Sequence, residues 1–189
     1  MHDVTLTSSS DVLPRWALSA ADLTELGRTP VAVVCAGAKS VLDIPRTLEF
    51  LETQGVAVVG YATDDFPAFF ARSSGRAAPS RVDTPREAAA LVKAGRRLQL
   101  GGTVFGVPIP AADEAKGAAV EAAIGRALRE AEEAGVAGGE VTPFLLGRIR
   151  ELTGGTSLEA NIKLVKNNAA VGARIAVALS ELDRTNADR

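Results

Sequence analysis

In the stretch VAVVCAGAKSVLDI, Val31 to Ile44, Lys39 is the residue whose type and setting point most directly to chemistry. The run Val31 to Ala36 is apolar without polar alternation, which predicts a strand covered on both faces. Gly37, Ala38 and Ser40 then leave little side-chain bulk around one ammonium group. A lysine at such a strand end serves as a phosphate contact, as a structural charge or as a nucleophile. The other reactive groups are few. His2 is the only histidine and Cys35 the only cysteine. That excludes a Ser-His-Asp triad, a Cys-His pair, a histidine-rich zinc site and an internal disulfide. Cys35, inside the strand, reads as an inert core residue. Catalysis by this chain therefore falls to lysine, to carboxylates or to an oxygen-ligated metal.

The totals narrow the setting. A chain of 189 residues with 47% hydrophobic and 23% charged content fits one ordinary globular domain. A net charge of −2 gives no bulk attraction to nucleic acid or anionic membranes, so neither is expected as a partner. No apolar run approaches the roughly 20 residues of a membrane helix. The start MHDVTLTSSSDVLPRW lacks the charged and apolar regions of a signal peptide. With a lone cysteine, the expected location is the reducing cytoplasm.

The elements that must position Lys39 follow from pattern. Residues 1–18 show no periodicity and are expected to be a divergent, poorly ordered segment. Ser19 to Leu26 predicts a short helix, with Ser19 as N-cap and Asp22 completing a weak capping box. Pro45 opens a helix over 45–54 that Gly55 closes, and Val56 to Ala62 reads as a second buried strand, giving a β-α-β unit with parallel strands. In the segment 63–79, Phe66, Phe69 and Phe70 are either a lid or a core anchor. Thr84-Pro85 starts a helix through Arg97, and Gly101 to Pro110 holds a third strand. Three helices follow: Asp113 to Ala134, one from Thr142-Pro143 to Gly154-Gly155, and a long one from Leu158 to about Leu182, capped by Thr156. The fold class is therefore α/β. Three strands are few for so much helix, so the chain reads as part of something larger.

The blocks ADLTELGRTPVAVVCAGAKSVLDI, TLEFLETQGVAVVGYATDDFPAFFARSSG, TPFLLGRIRELTGG and SLEANIKLVKNNA together resemble the pseudouridine-5'-phosphate glycosidase family, also called indigoidine synthase A-like. The resemblance runs from about Ala21 to Leu182. It implies a layered α/β/α fold, of which residues 19–182 would be the C-terminal part and 183–189 a polar tail. It also implies an enzyme of the carbon–oxygen lyase class, a homotrimer using a divalent metal such as manganese. The implied reaction splits the C–C glycosidic bond of pseudouridine 5'-phosphate into uracil and ribose 5-phosphate.

By resemblance, Lys39 takes the place of the nucleophile. An amine attacking the anomeric carbon can open the sugar ring and form an imine-type adduct, from which the uracil carbon is protonated and released. Such a lysine must be partly neutral, although free lysine titrates near ~10.4, so a desolvated pocket is expected around it. The family's substrate-contacting Ser-Ala-Asp segment falls on Ala20, Ala21 and Asp22, with the serine out of register at Ser19. Asp22 also suits a helix N-terminus by charge and dipole alone. The family's metal-binding aspartate falls near Leu18, which cannot ligate a hard cation, so no metal residue is assigned. The family's NPIP motif reads VPIP, with Val107 for the amide. The acid/base glutamate, a second substrate lysine and a glycine-rich phosphate segment belong to an N-terminal half with no counterpart here. The alternative is a catalytically inactive remnant with the fold and weak sugar-phosphate affinity.

Overall fold

The computed structural model describes residues 21–39 and 43–187. The proposed Ser19 cap, Ala20 and Leu18 lie outside them. A parallel sheet of four strands forms the centre, in the order β1-β4-β2-β3, with β1 Ala32–Cys35, β2 Ala57–Tyr61, β3 Ser80–Val82 and β4 Thr103–Gly106. Six helices surround it: α1 Ala21–Arg28, α2 Ile44–Thr53, α3 Pro85–Arg97, α4 Glu114–Glu133, α5 Val141–Thr153 and α6 Thr156–Ala187.

Two apolar layers fix the sheet between helices. Val58 and Val104 face α1 and α2, where Ile44, Leu51, Leu23 and Leu26 pack. Their neighbours Val59 and Phe105 point to the other face, against Ala88, Ala89 and Val92 of α3 and Val171 and Ile175 of α6. This alternation along β2 and β4 is what a strand apolar on both faces requires. A third cluster lies beyond the C-terminal end of the sheet. There Ile109, Phe70 and Ala36 meet Val120 and Ile124 of α4 and Ala160 and Leu164 of α6.

Helix ends follow the local chemistry. Thr84 and Glu87 close a reciprocal capping box on α3, with Pro85 in the first turn. Asp43 caps α2 by accepting from the Arg46 amide. Gly154 and Gly155, both at positive φ, end α5.

Four differences from the sequence reading stand out. A fourth strand exists, the three-residue β3, too short and polar to carry a pattern. Strand β4 lies between β1 and β2, so the β-α-β unit is parallel but its strands are not neighbours. Strand β1 is not covered all round: it ends the sheet, Ala32 is exposed and Val33 to Cys35 are half-buried. The last helix continues past Leu182 to Ala187.

Candidate functional site

The C-terminal ends of β1 and β4 and the loop after β2 converge at one end of the sheet, where ligands of open α/β sheets bind. The loop 63–79 is tied to itself. The Phe66 amide donates to Arg76 O at 2.8 Å, Ala78 N to Asp64 O at 2.7 Å, and both the amide and the hydroxyl of Ser74 to Phe66 O at 3.0 and 2.6 Å. The Ser73 hydroxyl donates to Asp65, and the Arg72 guanidinium to the Ile109 carbonyl. Arg72 also faces Glu114 at 3.9 Å. Phe66 and Phe70 are buried and anchor the loop, so of the two readings of this cluster the anchor holds for them.

Glycine makes the next contact possible. A Cβ at Gly37, which sits at φ +89°, would meet the Pro67 carbonyl oxygen at 1.7 Å. One at Gly106 would meet Pro67 Cδ at 2.8 Å. Pro67 therefore lies directly over two strand ends that carry no side chain. The Phe69 amide donates to Ala36 O at 2.9 Å, and Gly37 bridges to Ala68. Phe69 pays for this with a positive φ of 60°, unusual for a bulky residue.

Lys39 follows two residues later. Its Nζ stands 5.9 Å from the centroid of the Phe69 ring, within cation–π range. No carboxylate or hydroxyl pairs with this ammonium among the described residues. The residue is exposed, which corrects the expected desolvated pocket. Its strand is at the sheet edge and its neighbours Gly37 and Ala38 are small, so nothing in the described residues covers it from outside.

Asp22 stands exposed in the first turn of α1 and makes no ion pair with Lys39 among the described residues. Only Thr29, Pro30 and Val31 separate α1 from β1, and the Gly102 amide donates to Leu26 O at 2.6 Å. The C-terminal turn of α1 thus lies at the start of the sheet. Ala21 begins the same turn. Burial pushes the Cys35 thiol up, as befits an inert strand residue. Val107, in the VPIP position, is buried in the core.

Sequence reasoning missed two groups at this end. Arg72, the one charged side chain in FPAFFARSSG, carried that signal but not its destination on Ile109. The ion pair of Lys163 with Asp113 joins residues fifty apart, which no local pattern reveals. Among the described residues no three His, Cys, Asp or Glu side chains gather to hold a metal ion. No helix among them is long and apolar enough to cross a membrane.

Comparison with known proteins adds to this geometry. The family model described as Indigoidine synthase A like protein matches residues 14–178. The pseudouridine-5'-phosphate glycosidase of Methylobacterium nodulans is 59% identical over 160 residues, covering 84% of this chain and 48% of that protein. The enzyme of that name from Arabidopsis thaliana is 57% identical, covering 85% and 49%. The chain thus spans about half the length of the curated relatives it matches. Among solved structures, the prealnumycin C-glycosynthase AlnA in complex with ribulose 5-phosphate superimposes with a TM-score of 0.78 at 34% identity, covering 90% of this chain and 55% of that one. An indigoidine synthase A-like protein of Thermotoga maritima gives 0.66 at 35% identity, covering 84% and 52%.

Proposed function

Because this chain belongs to the indigoidine synthase A-like family, we propose that it carries the nucleophile of a pseudouridine-5'-phosphate glycosidase, and that Lys39 is that nucleophile. The observation that supports this most directly is its placement. Lys39 stands four residues past the edge strand of a parallel sheet, exposed, unpaired among the described residues and beside the Phe69 ring.

The leaving atom of a C–C glycoside is a carbon with no lone pair to protonate, so departure needs electrons pushed from the sugar side. The Lys39 amine attacks C1' of the ribose, forming an N–C1' bond as the C1'–O4' bond breaks and O4' takes a proton. The nitrogen lone pair then expels the base: C1'=N forms, the C1'–C5 bond breaks and uracil C5 takes a proton. Water hydrolyses the iminium to ribose 5-phosphate and restores the amine. Asp22 is the substrate-contacting carboxylate by family place, with Ala20 and Ala21 beside it. The resemblance also implies a trimer, a cytoplasmic setting and manganese, and no step here passes through the metal.

A second reading, weak sugar-phosphate binding without turnover, draws on one observation: no acid/base carboxylate stands beside Lys39 in the described residues. One experiment separates the readings at their shared residue. The protein is incubated with ribose 5-phosphate and borohydride, and the adduct is mapped by peptide mass. Preferential labelling of Lys39, absent in Lys39→Ala, is expected, since Lys93 and Lys163 are held in ion pairs with Asp183 and Asp113. Equal labelling of Lys39, Lys93, Lys116, Lys163 and Lys166 would overturn the assignment. Uracil release from pseudouridine 5'-phosphate then distinguishes turnover from binding.

A further inference from the structure

Helix α6 has two apolar faces, and among the described residues only one of them is covered. Ala160, Leu164, Val171 and Ile175 are buried against the sheet and α4. On the opposite side Leu158, Ile162 and Val165 are 65%, 47% and 60% exposed, and Ala169, Ala173 and Ala176, also exposed, continue the row. At a helical 100° per residue these six fall within a sector about 80° wide, and no charged residue of 156–182 enters it. Solvated helix faces are ordinarily charged. The charges of 156–182 are instead set to one side, at Glu159, Lys163, Lys166, Arg174 and Glu181.

The stripe adjoins a second open feature. Gly172, at its border, lies against Val34: a Cβ there would stand 3.7 Å from Val34 Cγ2. Val34 belongs to β1, the sheet's terminal strand. Val31 O and Cys35 O accept from Thr103 N and Val107 N of the β4 side at 2.9 and 2.7 Å. In a parallel ladder alternate residues turn to the same side, so Ala32 and Val34 present their amides and carbonyls outward. Among the described residues nothing pairs with this edge, and an open edge beside an uncharged helix face is a template for another strand and helix. Lys39 stands four residues beyond the end of this edge strand, at the same border.

We propose that this continuous face, the β1 edge with the α6 stripe, is where the portion of a family-length glycosidase that this chain does not span packs, adding a strand to β1 and an apolar surface to α6, and thereby walling the Lys39 site. The occupant follows from the comparisons: relatives at 57–59% identity hold about as much chain again outside the matched region. The inference rests on family membership and not on the Lys39 chemistry.

The test uses the unmatched portion of the Methylobacterium nodulans relative as a separate polypeptide, co-expressed with this chain. A one-to-one complex by mass is expected, with exchange of the Ala32 and Val34 amides slowed about tenfold or more. Ile162→Glu and Val165→Glu each weaken it about tenfold or more by burying an unpaired charge. Ala32→Pro, which removes an outward amide while leaving the β4 ladder, does the same. Lys166→Glu, off the stripe, leaves binding unchanged. Each variant's thermal unfolding reports whether the fold persists. No complex, a complex indifferent to Ile162→Glu, or a dimer of this chain that covers the stripe would overturn the proposal. A complex that forms without uracil release would instead refute the functional reading alone.

Discussion

At the scale of single residues, the site depends on Gly37 as much as on Lys39. Gly37 combines a positive φ with a Pro67 oxygen 1.7 Å from where a Cβ would be. Gly37→Ala should cost about 2–3 kcal/mol, because backbone rather than a mobile side chain blocks the methyl. Gly55, at φ +71° but with open space around it, should lose only about 1 kcal/mol on the same change. Chemical denaturation of both variants checks the contrast, and comparable losses would show that Pro67 can retreat. Gly37→Ala should also reduce Lys39 labelling by ribose 5-phosphate, since Ala36 and Phe69 would no longer be joined. The lysine itself was legible: an ammonium after an apolar strand, in small residues. Its exposure was not, because the sequence of a strand does not say whether it ends a sheet.

At the scale of elements, the helices were read more fully than the strands. Thr84-Pro85 is a local signal, and Thr84 caps α3 as read, with Glu87 adding a reciprocal bond the reading did not include; Thr84→Ala should cost about 1 kcal/mol by thermal denaturation. The insertion of β4 between β1 and β2 has no local signature, because strand order is set by which faces remain to be covered. The α4–α5 pair shows what sequence spacing leaves out. Glu130 of α4 accepts from Arg148 of α5 and, at 2.9 Å, from Arg126 in its own helix. The Arg148 guanidinium, with help from Arg126, lowers its carboxyl from the ordinary 4.5 to about 2. A depressed carboxylate contributes stability that is complete above pH 4.5 and lost as pH falls toward 2. The difference in melting temperature between the wild type and Arg148→Met should therefore shrink across that window. A difference constant from pH 6 to pH 2 would mean that the pair adds nothing in solution.

At the scale of the whole molecule, burial is uneven, and this predicts an order of opening. All four residues of β4 are buried and both its neighbours are strands. Helix α3 adds three buried residues and a complete N-terminal cap. Helix α5 has no fully buried residue whose side chain is described, and it meets the rest through half-buried Ile149 and the Glu130 pair. Amides in elements with few buried apolar contacts exchange through local opening, whereas central strands exchange only on global unfolding. Native-state hydrogen exchange should accordingly protect Val104 to Gly106 most, α3 next and α5 least. Within β1, Val33 and Cys35, turned toward β4, should outlast Ala32 and Val34 on the open side. The contrast of Val34 with Val33 and Cys35 matters most, since these three are all half-buried and differ in which way the amide points. Equal protection along β1 would mean that its outer edge is already paired in solution, and the open face beside Lys39 would then be closed before any further chain arrives.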